Sequence, residues 1–344
     1  MGHSVAVIPG DGIGREVVAE ALDVLRAVGG LHLEELPWSA DYYLTTGVTI
    51  PAGGYDTLRA FDAIFVGAFG DPRVPDNRHA RDILLGTRFE LDLYVNYRPV
   101  RLLDDRLCPL KNRTRPDIDF VVFRENTEGL YVGAGGRMRP DTDEEIAIQE
   151  EVNTYRGVHR IICFAFEFAR KRGLNKVCMA DKSNAMTHGH ALWQRVFRDL
   201  ASQYPEIEAT HLYIDALAML LVQSPNQFQA IVTNNLFGDI ITDIGGALQG
   251  GLGMAASGNI HPGRTSMFEP VHGSAPPLAG KNIANPIGAI LSAALMLETL
   301  GRVEDARRIE RAVEQAVHAG ETTRDVGGSL GTREAGAAIV KRLR

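Results

Sequence analysis

The first apolar run, SVAVI at 4–8, stops at the turn PGDGIG and gives way to REVVAEALDVLRAVG, where Val17, Val18, Ala21, Leu22 and Leu25 recur at helical spacing. The same change of period repeats along the chain. DAIFVGAFG at 62–70 predicts a buried strand ending in glycine, and residues 79–94 alternate apolar and charged positions as a helix does. IDFVVF at 118–123 predicts a strand, and EEIAIQEEV at 144–152 alternates as a half-exposed strand should. Residues 154–172 predict a helix with Val158, Ile161, Ile162, Ala165 and Ala169 inward, closed by Gly173. NKVCMA (175–180), EATHLYI (208–214) and QAIVT (229–233) predict strands separated by helical stretches, and the tail after 284 is mostly helix. Such alternation predicts an α/β fold with parallel strand pairs. No repeat or low-complexity linker marks a domain boundary, but residues 100–150 are richer in alternating strand and suggest an inserted subdomain.

Composition narrows this picture. A chain of 344 residues is too long for one typical core and predicts about two domains. Hydrophobic residues at 45% and charged residues at 23% give an ordinary globular balance. The net charge of −7 argues against a broad nucleic-acid footprint, while leaving room for a local arginine cluster that grips anions. No apolar run is long enough to span a membrane, and the N-terminus lacks a basic-then-apolar signal. Gly2 resembles a myristoylation start, but Ala6 stands where Ser or Thr is wanted. Cys108, Cys163 and Cys178 are odd in number and widely spaced, which suggests neither a disulfide framework nor a zinc site and fits a reducing cytoplasm.

Several stretches carry candidate chemistry. PGDGIG offers glycines between a strand and a helix but is not the GxGxxG pattern; a weak dinucleotide loop and a plain tight turn are equally good readings. RFELDLYVNYRP sets Arg88 and Arg98 ten residues apart, and FRENTEGLY sets Arg124 at a predicted strand end, where ligands gather in α/β sheets. Arginine grips carboxylates through paired hydrogen bonds; the plainer alternative is surface pairing with Glu90, Asp92 or Glu125. Tyr131 and Lys182 are candidates for proton transfer, Lys182 acting as a base only with help from burial or a neighbouring charge. NNLFGDIITDIGG puts Asp239 and Asp243 on one face of a predicted helix, where like charges repel by roughly 0.2–0.5 kcal/mol. With Asp215 at the end of HLYI, these carboxylates make an all-oxygen set suited to Mg²⁺ or Mn²⁺, and a divalent ion turns the repulsion into attraction. FEPVHGSAPPLAGKNIANP, 268–286, is a long glycine- and proline-punctuated loop whose His272 and Gly273–Ala275 backbone could embrace an adenine and its ribose.

Taken together, VIPGDGIGREV, LDLYVNYRP, RENTEGLY, IVTNNLFGDIITD, GLGMAASGNI and FEPVHGSAPPLAGKNIANP resemble, in order and over nearly the whole chain, the β-decarboxylating dehydrogenases of the isocitrate/isopropylmalate dehydrogenase family. The resemblance implies a two-domain α/β fold that is not the usual Rossmann fold, so PGDGIG loses its reading as a phosphate loop. It implies a discontinuous cofactor domain, 1–98 plus 250–344, and a central domain, 99–249, with the dimer interface and metal ligands. It implies a homodimer with shared active sites, a small 2-hydroxy diacid substrate, NAD, and Mg²⁺ or Mn²⁺. Arg88, Arg98 and Arg124 would clamp the substrate carboxylate; Asp239 and Asp243, with Asp215 of the partner subunit, would hold the metal. Lys182 of the partner subunit, supported by the same Asp215, would take the hydroxyl proton, and Tyr131 would help protonate the enol. His272, Gly273, Ser274, Ala275, Asn285 and Asp325 would meet the cofactor.

Family members differ in what precedes the first arginine. Here Asp82 and Leu84 stand where isocitrate enzymes resemble one another in placing Ser and Asn, and Leu85 follows. Leucines leave a third carboxylate unpaired but welcome a branched alkyl group, worth roughly 1.5–3 kcal/mol when fully buried. The expected reaction is oxidative decarboxylation of 3-isopropylmalate to 2-oxo-4-methylpentanoate, in leucine biosynthesis. Tartrate or D-malate dehydrogenation is the alternative; isocitrate and homoisocitrate fit less well, and a non-catalytic regulatory subunit fits poorly because Lys182, Tyr131 and all three aspartates are present. After HGSAP, relatives that use NAD usually carry an acid and those that use NADP carry Lys then Tyr; Pro277 and Leu278 supply neither, and the absence of a cation favours NAD.

Overall fold

The computed structural model describes residues 2–343. Its strands are His3–Ile8 (β1), Leu31–Glu35 (β2), Ala63–Val66 (β3), Val95–Arg101 (β4), Asp119–Glu125 (β5) and Gly135–Met138 (β6). Ile146–Gln149 (β7), Lys176–Asp181 (β8), Glu208–Tyr213 (β9), Ala230–Thr233 (β10), Ala256–Ile260 (β11) and Ser266–Pro270 (β12) complete them. Two compact units emerge: residues 1–93, 98–118 and 246–344 form the first, and 94–97 with 119–245 form the second. Residues 99–118 and 246–249 thus pack with the first unit, where the resemblance implies that they belong to the central domain.

In the first unit the strands lie in the order β2-β1-β3-β12-β11. β1 runs parallel to β2 and β3, β3 parallel to β12, and β11 antiparallel to β12. Val5 to Ile8 and Ala63 to Val66 are all but fully buried because helices cover this sheet, which is why these strands read as unbroken apolar runs. Helix Ile287–Thr299 is buried almost all round, whereas Gly14–Val28 buries only the stripe led by Val17, Val18, Ala21 and Leu25. A core of Ile8, Trp38, Leu58, Ile64, Ile83, Leu93 and Met267 underlies the stretch 78–90 that bears Leu84 and Arg88.

In the second unit β5-β10-β8-β9 run parallel throughout. Helix Tyr155–Arg172 covers them, capped by the Thr154 side chain at its start and by Gly173 in the left-handed conformation at its end. Beside this sheet lies a separate antiparallel ribbon, β6 with β7, all of whose residues are exposed, including Met138, Ile146 and Ile148. No helix among the described residues is long and apolar enough to cross a membrane.

Candidate active site

The chemistry-bearing residues fall into two groups, one in each unit. In the first, Arg88 follows a break in helix geometry. Residues Arg78–Arg81 are α-helical, Asp82–Gly86 form a π-turn, and Thr87–Glu90 return to α-helix. Arg88 Nη2 donates to Glu269 Oε1 at 2.7 Å, and Asn259 Nδ2 donates to the same oxygen at 2.8 Å. Glu269 lies on β12 and Asn259 on its antiparallel neighbour β11, so the sheet fixes the carboxylate that fixes the arginine. A cavity of about 150 Å³ opens beside this pair, lined by Leu84, Arg88, Arg98, Glu269, Phe69 and His272. Leu84 is in its wall; Leu85 is not. Arg88 and Arg98 are 8% and 7% exposed, which removes the reading of both as surface residues. Arg88 takes its carboxylate from Glu269 and not from its sequence neighbours Glu90 or Asp92.

The predicted cofactor loop belongs to the same unit. Its Ser274 carbonyl accepts the Ile13 N–H at 2.9 Å, joining the loop to PGDGIG through the backbone. Burial holds His272 below the ordinary imidazole range and therefore neutral, with Nδ1 3.0 Å from the Gly273 carbonyl, to which it donates. Ala275 takes a left-handed conformation, φ 39°, where the loop turns into Pro276–Leu278. Asn285 Nδ2 donates to Asp325 at 3.0 Å while the Thr323 hydroxyl donates to the other Asp325 oxygen at 2.6 Å. Asn285 and Asp325, forty residues apart, are thus brought together.

In the second unit, Arg124 at the end of β5 is 1% exposed. Its Nε and Nη2 donate to Asn235 Oδ1 at 2.9 and 2.7 Å, and its Nη1 donates to Asp239. The Tyr131 hydroxyl donates to the other Asp239 oxygen at 2.9 Å, and its ring centroid lies 5.2 Å from the Arg124 guanidinium carbon. Helix Asn235–Leu248 can lie this close to Arg124 because residue 238 is glycine: a Cβ there would sit 2.5 Å from Arg124 Cγ. Arg124, Tyr131 and Asp239 are one hydrogen-bonded cluster, and Asn235 is its member that no sequence pattern announced.

Lys182 donates from Nζ to Asp215, and that ion pair holds the Asp215 carboxyl below the usual carboxylate range. The Lys182 backbone N–H donates to His190 Nδ1 at 2.7 Å, so the ring proton lies on Nε2, facing Glu151 at 3.3 Å. His190, fully buried, is a second support that lay outside the recognised motifs. Asp239 and Asp243 sit one helical turn apart with only oxygen donors, the donor chemistry a hard divalent cation requires. No three His, Cys, Asp or Glu side chains gather to hold a metal ion among the described residues. Within the chain Asp215 pairs with Lys182.

Buried arginines thus line a cavity in the first unit, and a Lys–Asp pair and a Tyr–Asp cluster lie in the second. The chain belongs to the isocitrate/isopropylmalate dehydrogenase family, whose model matches residues 4–339. It is 46% identical to a 3-isopropylmalate dehydrogenase from Thermobifida fusca, covering 98% of this chain and 97% of that one. It is 48% identical to the 3-isopropylmalate dehydrogenase of Corynebacterium jeikeium, over 99% of both. Among solved structures, isocitrate dehydrogenase from Methylococcus capsulatus superposes with a TM-score of 0.91 at 36% identity, over 99% of both chains. The fold is therefore shared across substrates, and selectivity has to be sought in the cavity.

Proposed function

We propose that this chain oxidises and decarboxylates 3-isopropylmalate to 2-oxo-4-methylpentanoate, reducing NAD with the help of Mg²⁺ or Mn²⁺, as a homodimer. The observation that carries the substrate is the small cavity in which Leu84 stands beside Arg88 and Arg98. Two cations suit carboxylate oxygens, and the leucine suits a branched alkyl group. Asp82, the one charged residue of the turn that bears Leu84, is an acid engaged by the Thr49 hydroxyl at 2.8 Å, so that turn offers nothing to a third carboxylate.

Asp239 and Asp243, with Asp215 of the partner subunit, are the residues that would hold the divalent ion. The ion would supply Lewis-acid chemistry at the substrate's hydroxyl and adjacent carboxylate, and NAD would supply the acceptor for the hydride. Lys182 of the partner subunit is the base for the hydroxyl proton. Tyr131, its hydroxyl aimed by Asp239, returns a proton once CO₂ has left. His272 to Ala275, Asn285 and Asp325 would hold the dinucleotide. Pro277 and Leu278 carry no cation for a 2′-phosphate, which favours NAD. A shared site is supported by what surrounds these groups: Met219 and Val222 are 51% and 49% exposed on the helix Ile214–Gln223 that bears Asp215, and Ile240 is 53% exposed beside Asp239. Apolar side chains left in water next to catalytic carboxylates mark a face that another surface covers.

Purified protein assayed with 3-isopropylmalate, D-malate, tartrate and isocitrate against NAD and NADP tests the reading. The highest kcat/KM is expected for 3-isopropylmalate with NAD; faster turnover of isocitrate, or preference for NADP, overturns the corresponding part.

A further inference from the structure

Lys182 is the first residue past β8, where the strand ladder ends with Asp181 opposite Tyr213. A buried imidazole takes over from the sheet. The Lys182 N–H donates to His190 Nδ1 at 2.7 Å, and the Lys182 carbonyl accepts the Ala185 and Met186 N–H groups at 2.9 and 2.8 Å. The backbone of this lysine is therefore pinned on both sides, which sets the direction in which its side chain leaves toward Asp215.

The seat of His190 is built from three segments of the second unit. The ring is 0% exposed at the start of helix Gly189–Ala201. That helix start can approach residues 151–153 because residue 189 is glycine: a Cβ there would lie 2.6 Å from Asn153 Nδ2. Asn153 Oδ1 in turn accepts the Trp193 indole N–H at 2.8 Å, tying the two segments together. His190 Nε2 lies 3.3 Å from Glu151 Oε1, and Asn234 Nδ2 donates to the same oxygen at 2.7 Å. Phe237, in the first turn of helix Asn235–Leu248, meets the imidazole edge-on, with ring centroids 5.5 Å apart and planes at 87°. Glu151 is itself held in place, since the next residue, Val152, bridges to Gly129. A ring that must accept on Nδ1 carries its proton on Nε2, and the carboxylate at Nε2 selects that tautomer. The other tautomer would aim one N–H at another.

We propose that His190 is a positioning residue for the base: Glu151 fixes its tautomer, and its Nδ1 holds the Lys182 backbone so that Nζ is delivered where the hydroxyl proton is taken. The inference rests on the reading of Lys182 as that base. The bond reaches the lysine's backbone and not Nζ, so its loss acts on the chemical step through geometry and leaves substrate binding alone.

The test compares wild type, H190N, H190Q and K182M as intact enzyme with 3-isopropylmalate and NAD. Asparagine places its oxygen where Nδ1 lies and keeps the bond to the Lys182 N–H; glutamine reaches the Nε2 position, keeps a donor for Glu151 and leaves that N–H unpaired. In H190Q kcat is expected to fall about 10- to 100-fold, the scale of a misplaced catalytic group, with KM for both substrates within about twofold of wild type. H190N is expected to keep kcat within about threefold of wild type. Amide-resolved hydrogen exchange of the wild type is expected to show the Lys182 N–H protected along with those of β8, a measurement that stands even where a variant does not fold. Equal kcat in H190N and H190Q, whether both low or both unchanged, overturns the positioning role, as does a Lys182 amide that exchanges as fast as those of exposed loops. K182M at wild-type kcat, or wild type inert toward 3-isopropylmalate, overturns the reading beneath the proposal, in arms separate from the His190 variants.

Discussion

The two groups of site residues handle charge in opposite ways. In the first unit Arg88 and Glu269 form an ion pair whose side chains are each 9% exposed, braced by Asn259 on the neighbouring strand. In the second, Lys182 and Asp215 form an ion pair that is 29% and 67% exposed. The buried pair cannot move without leaving an uncompensated charge in a low dielectric, so it fixes geometry. The open pair sits in water that screens it, so it contributes little to folding and is free to exchange protons and partners. On the proposed reading, substrate selection would rest on the buried pair and proton transfer on the open one.

Three experiments press on this contrast. The largest effect is expected from K182M, which removes the proposed base: kcat should fall about 10²–10⁴-fold while the melting temperature stays where it was. A K182M protein that is also markedly less stable would break the contrast, because it would make the open pair structural. R88Q should do the reverse. It strands Glu269, and thermal or denaturant unfolding should show a loss of about 3–5 kcal/mol in addition to weakened substrate binding. R88Q folding as well as wild type would mean that the buried pair does not brace the cavity.

The smallest effect sharpens the same point with one residue type. Asp215, exposed and paired with Lys182, has its carboxyl shifted down, whereas Glu20, 8% exposed on helix Gly14–Val28, is raised by burial to about 7. Between the unfolded carboxyl range, about 4.3, and that folded value, the native state holds a proton that the unfolded state releases. The stability linked to Glu20 is therefore full below the unfolded pKa, is lost as pH rises toward 7, and stays lost above it. E20Q removes the titration, so it should be more stable than wild type at pH 8 by on the order of 2 kcal/mol, with a much smaller gap at pH 5. Parallel urea midpoints for the two proteins at both pH values would check this; a gap that does not grow with pH would show that Glu20 is solvated.

What the sequence conveyed and what it withheld follow from the range of the interactions. β1, β3, β5, β8 and β10 are covered on both faces and stand out as apolar runs, and the stripe of helix Tyr155–Arg172 repeats within a few residues. β2, LHLEE, is an edge strand with charged positions, and β11, ASGNI, and β12, SMFEP, are buried yet rich in small and polar residues. Their strand character comes from pairing with neighbours, which no local period records. The same holds for the site. Arg88, Arg124, Asp239 and Lys182 lie in recognisable stretches, but Glu269 meets Arg88 across 181 positions and Asn235 meets Arg124 across 111. The π-turn at Asp82–Gly86 inside the predicted helix 79–94 was likewise invisible to the helical period.

The ribbon of β6 and β7 has a consequence for how the enzyme is handled. Met138, Ile146 and Ile148 stand 44–50% exposed on a pair of strands too short to be stable alone. The ribbon is tied to its own unit by the Gln149 side chain, which donates to the Leu130 carbonyl at 2.9 Å, and the proposed homodimer would give its exposed face a partner that dilution removes. Specific activity should then track protein concentration, falling as dilution separates the protomers.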